Sequence, residues 1–296
     1  MKKFFLLFTF HFLLFTFSKA QDLSSMFTDE KPKPDFTIAT FKSTRVVNFH
    51  TIETNGKRTL DFRISHRFGN LSSGAGNFWG LDGPADIRLA LEYSLSNRLQ
   101  LGIGRTSSHK VVDGFTKFRL VRQTTNNKIP VSITLLAATD LITENDPNAN
   151  VAGGFDRYQF FTDRFCYVFQ FMLARKISDK LSLQVSPTIV HLNIVDKLAD
   201  KNDIYGLVVL GRYKLTKRFA ITSEYCFRLN QYSTEQSTYN SSFSIGFDLE
   251  TGGHVFQIHL TNSLGIDEPH SIPFTIGNPL HGDMKIGFNI SRAFWL

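Results

Sequence analysis

Residues 86–95 read DIRLALEYSL, and this stretch decides the fold class. Every second residue from Ile87 to Leu95 is large and mostly apolar, whereas the residues between them, from Asp86 to Ser94, are charged or small. Successive side chains of a β-strand point to opposite faces. The stretch therefore predicts a strand with one apolar face and one charged face.

The same alternation with period two recurs on both sides of this stretch. It is found upstream in residues 58–68 and downstream in residues 165–173, 219–229, 243–250 and 256–261. Helical spacing competes poorly in the chain that follows the N-terminal apolar run. Turn signals such as Asn55-Gly56 separate the alternating segments. The sequence therefore predicts an all-β protein.

Short and long connections between the segments alternate along the chain. This order is typical of bacterial outer-membrane barrels, which have short periplasmic turns and longer extracellular loops. Many segments also reach the roughly 9 to 11 residues that a tilted membrane strand needs, whereas strands of soluble proteins are commonly about 5 to 6 residues long. We predict a single antiparallel transmembrane β-barrel, with a soluble periplasmic β-protein as the alternative.

The number of strands follows from parity. About thirteen segments alternate well, including residues 44–54. An antiparallel barrel from a single chain closes with an even number of strands, so residues 36–41 are added as a further strand to give about 14. Twelve strands are possible if residues 99–107 and 112–123 are not both full strands.

The N-terminus predicts export. Lys2 and Lys3 precede an apolar run at residues 4–17, and small residues at 18 and 20 mark a signal-peptidase site, so residues 1–20 are interpreted as a cleaved signal peptide. Residues 21–35 are interpreted as a flexible periplasmic segment, and residues 36–296 as the barrel domain in the outer membrane. Cleavage removes three lysines and lowers the formal charge from +7 to +4, a surplus too scattered for nucleic-acid binding.

Lipid is the expected partner of the apolar faces, which places the alternate residues inside the barrel. The residues predicted to line the lumen are Asp61, Arg63, Arg67, Asp86, Arg88, Glu92, Arg164, Arg212, Glu224, Arg228 and Asp248. Their mixed charges have two interpretations. The residues either pair with one another across strands or line a water-filled pore whose charges set its selectivity.

The sequence offers no signal of catalysis. It lacks His-Glu-x-x-His, Gly-x-Ser-x-Gly and Cys-x-x-Cys motifs, and its histidines are scattered without the spacing of metal ligands. We therefore predict no catalytic residues, no cofactor and no metal site, and we do not expect an enzyme.

One block resembles a known family. Residues 78–86, FWGLDGPAD, together with His66-Arg67-Phe68-Gly69 and residues 102–105, resemble a domain-of-unknown-function family of bacterial outer-membrane β-barrels. The similarity extends from about residue 41 to the C-terminus, and it implies a fold and a location but no activity. In this block Phe78 and Trp79 are candidates for a plug over the barrel mouth, and the alternative is an ordinary glycine-rich surface loop.

The function that these features favour is a channel or carrier for small solutes across the outer membrane. The alternative is a barrel that does not transport, acting as a structural anchor or as a docking site for periplasmic proteins. A membrane-embedded enzyme is the third possibility.

Overall fold

The structure is a computed structural model that describes residues 35–148, 156–233 and 239–296. The predicted signal peptide, and the predicted periplasmic segment up to its last residue, lie outside these ranges. Twelve antiparallel strands close into a single barrel. They are β1 (Thr59–Asn70), β2 (Asp86–Ser94), β3 (Leu99–Thr106), β4 (Val111–Val121), β5 (Ser132–Ile142), β6 (Phe165–Lys176), β7 (Leu181–Leu192), β8 (Asp203–Lys214), β9 (Phe219–Arg228), β10 (Phe243–Thr251), β11 (His254–Thr261) and β12 (Lys285–Trp295).

Each strand pairs with its neighbours in the sequence, and β1 pairs with β12 to close the barrel, with Leu60 opposite Phe294. In the part of the chain described here, no helix is long and apolar enough to cross a membrane. One short α-helix, α1 (Glu268–Ser271), lies in the connection between β11 and β12. The predicted all-β antiparallel barrel is confirmed.

The strand number is the lower of the two predicted counts, but for a different reason. Residues 99–107 and 112–123 do form full strands, β3 and β4. The count of 14 was too high by two because residues 36–41 and 44–54, each counted as a strand, make only isolated bridges and do not join the wall. Residues 44–52 are buried or nearly so inside the barrel, whereas residues 36–41 lie at its end, where Ile38 is 72% exposed.

The two ends of the barrel differ in their connections. One end, here called the turn end, carries the connections at residues 95–98, 122–131, 177–180, 215–218 and 252–253. The opposite end, called the loop end, carries the long connections at residues 71–85, 143–164, 193–202, 229–242 and 262–284, with one short connection at 107–110. The predicted order of short and long connections is therefore present with two exceptions, the short connection at 107–110 and the ten-residue connection at 122–131 at the turn end.

The wall is apolar outside and polar inside. Ile103 and Ile258 point outward and are 58% and 62% exposed, whereas Arg63, Arg88 and Glu92 point inward and are fully buried. A soluble protein buries its apolar side chains. This barrel does the reverse, which suits a hydrocarbon solvent around it.

The lumen is filled by a hairpin that precedes β1. Residues 41–55, here called the lumen hairpin, enter from the turn end and return to it. Arg45 and His50 form an isolated antiparallel backbone bridge. Next to it, the N–H of Val46 donates to the carbonyl of Phe49 at 3.0 Å, and the N–H of Thr51 donates to the carbonyl of Thr44 at 2.9 Å. These bonds form a tight turn in the interior, far from the entry point.

The interior has two unlike halves, and the hairpin matches both. The inward faces of β6 and β8 are largely apolar, whereas that of β7 is polar but uncharged up to Thr188. Val168, Val190 and Val208 form one buried cluster with Phe49 and Ile52 of the lumen hairpin. The inward faces of β1 to β4 and of β9 to β12 carry most of the charged residues. The hairpin therefore packs its apolar side chains on one side and presents its backbone to the charged side.

Candidate functional site

The tip of the lumen hairpin is held by one carboxylate of the wall. Glu224 on β9 is 1% exposed and accepts hydrogen bonds from the backbone N–H groups of Val47 and Asn48, both at 3.0 Å, and of Phe49 at 3.3 Å. The hydroxyl of Ser244 also donates to it at 3.0 Å. Several N–H donors can compensate a buried carboxylate without a cation. Glu224 thus fixes the turn of the hairpin.

Two cations hold carbonyl groups of the same hairpin. The buried amine of Lys117 on β4 donates to the carbonyls of Thr44 at 2.9 Å, Thr51 at 3.1 Å and Glu53 at 3.3 Å. Arg67 on β1 donates to the carbonyl of Val47 at 3.1 Å. These bonds replace the ladder that a wall strand would provide, so the hairpin's backbone is satisfied by wall side chains.

A third group binds the entering arm of the hairpin. Arg63 donates to the hydroxyls of Ser43 at 2.9 Å and Thr44 at 2.7 Å, and the Thr44 hydroxyl in turn donates to Glu92 at 2.7 Å. Arg63 Nε lies 3.5 Å from Glu92, and Arg63 Nη2 lies 3.4 Å from Asp61. These three predicted lining residues therefore form one cluster around the arm.

Four further predicted lining residues, Asp86, Arg88, Arg212 and Asp248, contact the wall or its connections rather than the hairpin. Asp86 at the loop end accepts from the Ser107 hydroxyl, Arg88 forms a two-point ion pair with Asp113, and Asp248 accepts from Gln257 with Arg212 electrostatically nearby. These residues face inward. The charges of the wall thus partly pair with one another, but the largest share of their hydrogen bonds goes to the hairpin.

Two predicted lining residues lie elsewhere. Arg164 belongs to a short 3-10 helix before β6, where it donates to the carbonyls of Ile142 and Glu144 at the rim. Arg228 ends β9 and donates to the carbonyls of Pro273 and Tyr239. Both arginines therefore brace loops. Arg164 is the last residue of that 3-10 helix and Arg228 is the last residue of β9, so both side chains lie at the loop end.

Phe78 and Trp79 do not fill the lumen. They lie in a 3-10 turn of the β1–β2 connection and are 53% and 51% exposed, with their ring centroids 5.8 Å apart. The glycines of the block serve the turn itself: Gly80 has φ of +85°, and a Cβ there would lie 2.5 Å from the carbonyl carbon of Gly69. Phe78 and Trp79 therefore lie outside the lumen, and the lumen hairpin fills it instead.

The connection between β11 and β12 enters the lumen from the loop end. Residues 262–284, here called the infolded loop, descend into the barrel and meet the hairpin through Glu268. This carboxylate accepts from the backbone N–H of His50 at 2.8 Å and pairs with Arg45 at 3.2 Å, and both charged side chains are at most 3% exposed. The lumen is therefore filled from both ends, and the two inserts touch.

A second cluster lies where the infolded loop contacts β5. The His270 Nδ1 lies 2.7 Å from Asp267 Oδ1 and 3.6 Å from Asp140 Oδ2. Burial lowers the pKa of His270, but the neighbouring carboxylates outweigh burial and raise the pKa to about 9. Burial likewise opposes ionisation of Asp267, yet the His270 charge lowers the pKa of Asp267 to about 2. The pair is thus ionised at neutral pH.

Sequence reasoning identified most charges of the wall and missed what they bind. It did not select Lys117, Gln184 or Glu268, although Gln184 accepts from the N–H of Ile52 at 2.7 Å. The adjacent apolar pair Val46-Val47 interrupts the alternation and is the local signal that distinguished this segment from a wall strand. Asp140 and His270 lie far apart in the sequence, so no spacing rule joins them.

Comparison with known proteins gives one family and several distant folds. A family model described as a membrane bound beta barrel domain (DUF5777) matches residues 41–294, a range that includes the lumen hairpin and nearly all of the barrel. The structure of KdgM porin aligns with a TM-score of 0.48 at 9% identity, covering 80% of this chain and 99% of the porin. The COG4313 outer membrane channel from Pseudomonas putida F1 aligns with a TM-score of 0.44 at 14% identity, covering 81% and 97%. No curated protein matches the chain.

Proposed function

This chain belongs to the family of membrane-bound β-barrel domains, and on that premise we propose that it is an outer-membrane channel for small polar solutes, closed at rest by its lumen hairpin. The proposed location rests on the signal peptide predicted at residues 1–20 and on the apolar outer face of the wall. The lipid of that membrane is the expected partner of this face. We assign no reaction to the barrel.

One observation carries the proposal: the wall closes without any strand from the hairpin. The twelve strands close through the β1–β12 pair without any strand from residues 41–55. The hairpin is attached to the wall by hydrogen bonds, ion pairs and packing, and both cysteines are free. Withdrawal of the hairpin toward the turn end would leave the wall complete.

The lining that such a withdrawal exposes suits polar solutes. Glu224, Lys117 and Arg67 now bind the hairpin backbone, and they would then face water. Small barrels of about eight strands are filled by their own side chains, whereas porins of about 16 strands hold an aqueous channel. A barrel of twelve strands lies between these sizes, so whether its lumen conducts depends on an insert such as this hairpin.

The test is the conductance of two proteins in planar lipid bilayers. The first is the mature chain, and the second is a truncated chain that begins at Asn55 and keeps all twelve strands. We expect the mature chain to be mostly silent and the truncated chain to show frequent, stepwise openings. Folding of both is checked by their electrophoretic mobility with and without heating, a routine test for closed barrels.

A double variant, Lys117→Met with Glu224→Gln, provides a second measurement if the truncated chain folds poorly. This variant keeps the full chain and weakens the hydrogen bonds that Lys117 and Glu224 make to the hairpin backbone. Openings should therefore become more frequent than in the mature chain. Folded variants that insert and stay silent would contradict the channel. That outcome would favour the alternative that the filled lumen itself suggests, a structural or docking barrel that does not transport.

A further inference from the structure

We propose that Asp140, Asp267 and His270 form a binding site for a divalent transition-metal ion of the zinc type. Asp140 belongs to β5, whereas Asp267 and His270 belong to the infolded loop, so the ion would join the loop to the wall. One ligand atom from each residue lies within 4.8 Å of the other two. Ligand atoms around one bound ion lie at separations of this order.

The two carboxylates have oxygens that the protein leaves without donors. Asp140 Oδ2 and Asp267 Oδ2 are both buried and have no hydrogen-bond partner among the described residues, and each residue is 2% exposed. The backbone N–H and the ring Nδ1 of His270 both contact Oδ1 of Asp267, so neither of them reaches Oδ2. A buried polar atom without a partner is explained by a bound water or ion among other causes. Here two such oxygens lie in one cluster with an imidazole, which is the arrangement of a metal site.

Among the described residues, no arginine or lysine side chain hydrogen-bonds to either of the two buried carboxyl groups. The nearest arginines are already paired, Arg88 with Asp113 and Arg45 with Glu268. Lys285, which lines the cavity beside His270, donates to the carbonyl of Asn262 at 3.5 Å. Two buried carboxylates therefore share one imidazole. Leaving a buried carboxylate uncompensated is costly, and an ion bound between the two would remove that cost.

An ion can reach the cluster through the cavities that His270 lines. His270 lines a cavity of about 350 Å³ together with Asp267 and Asp86, and it also lines a cavity of about 490 Å³. Its side chain is 20% exposed. Three protein ligands with open space beside them leave room for a water molecule as the fourth ligand.

The donor set selects the class of ion. One imidazole nitrogen with two carboxylate oxygens suits zinc and related first-row ions. In the barrel without an ion His270 is protonated and contacts Asp267. Binding of the ion would release that proton, because a metal ligand must be a neutral imidazole. Calcium takes about 6 to 8 oxygen ligands and no nitrogen, and magnesium prefers oxygen in strict octahedral geometry. Zinc is therefore the probe for the site, and cobalt serves as its coloured substitute.

The experiment measures binding of zinc alone to the full mature barrel in detergent after treatment with a chelator. Calorimetry compares the mature chain with Asp140→Asn and His270→Gln. The matched control is His191→Gln, because His191 forms a similar imidazole–carboxylate contact with Asp203, at 2.7 Å, but in an exposed position. Cobalt absorption in the visible range reports the coordination of the ion.

We expect one zinc per barrel in the mature chain and in His191→Gln, and at least tenfold weaker binding in Asp140→Asn and in His270→Gln. No zinc binding by the mature chain, or unchanged affinity in a folded His270→Gln variant, would overturn the site. If the variants do not fold, anomalous X-ray scattering at the zinc edge decides with the mature chain. A peak between the three side chains supports the site, and a peak elsewhere or none refutes it.

Discussion

The amine of Lys117 shows at the scale of one residue how this barrel is built. It is fully buried, and it donates to three carbonyls of the lumen hairpin. A buried ammonium is tolerated only when its donors are satisfied. Since the hairpin supplies those acceptors, the charge on the wall and the backbone of the hairpin each compensate the other.

Substitution Lys117→Met should therefore loosen the hairpin. Three carbonyls of the hairpin lose the hydrogen bond from the amine, and the Thr44 carbonyl keeps its bond from the Thr51 N–H. We expect a loss of about 2 kcal/mol in the free energy of unfolding. Urea unfolding of the refolded barrel measures this loss. The control is Lys180→Met in the exposed β6–β7 turn, which should stay within about 0.5 kcal/mol of the parent protein. Equal effects of the two substitutions would show that the three bonds do not stabilise the hairpin.

At the scale of elements, the lumen hairpin behaves as an insert rather than as a strand. Its turn contacts Glu224 and Arg67, its apolar side packs on β6 to β8, and its arms connect to the turn end. The infolded loop meets it from the loop end through Glu268. Two elements from distant parts of the chain thus share the task of filling one lumen.

Phe49→Ala tests the apolar side of the hairpin. Phe49 is fully buried in the cluster, and its truncation should destabilise the seated hairpin by about 3 kcal/mol. If the hairpin is the gate, bilayer recordings should show openings that are at least tenfold more frequent. Phe171→Ala is the control, because Phe171 lies on β6 but points outward and is 44% exposed. A destabilised variant without added openings would separate stability from gating.

Substitutions in the β1–β2 loop, unlike Phe49→Ala, should change neither the stability nor the openings of the barrel. Phe78 and Trp79 are half exposed and lie outside the lumen. The double substitution Phe78→Ala with Trp79→Ala should leave both the conductance and the free energy of unfolding unchanged within about 0.5 kcal/mol. A large rise in conductance would restore the interpretation of these residues as a plug.

The whole molecule has its polar and apolar surfaces reversed relative to a soluble protein. Outward positions on the strands are exposed and apolar, and inward positions are buried and mostly polar, with an apolar patch where the hairpin packs. The family match at residues 41–294 confirms both the resemblance inferred from the sequence and the membrane-bound barrel.

An arginine scan of the outer face tests this reversal. Ile103→Arg places a charge in the middle of β3 at a position that is 58% exposed, and we expect a cost of about 2 to 4 kcal/mol for unfolding from lipid vesicles. Leu95→Arg places the same charge at the turn end, where the expected cost is about 0 to 1 kcal/mol. Equal costs at the two positions would mean that the middle of β3 does not lie in hydrocarbon.

The sequence by itself determined the all-β class, the antiparallel barrel, the outward apolar face and most of the inward charges. All four follow from period two, which is a local property of each strand. The order of short and long connections was equally local. The turn predicted at Asn55-Gly56 lies instead at Lys57-Arg58, and it does not join two paired strands.

Only the tertiary structure decided the number of strands and what occupies the lumen. Period two states that a segment has two faces, but it does not state whether the segment hydrogen-bonds to a neighbouring strand or lies inside the closed wall. Residues 44–54 follow the pattern apart from the adjacent Val46-Val47, and it is the pairing of β1 with β12 that leaves them inside. The contacts of Glu224 and the meeting of Asp140 with His270 likewise depend on closure, because only the closed barrel brings those distant residues together.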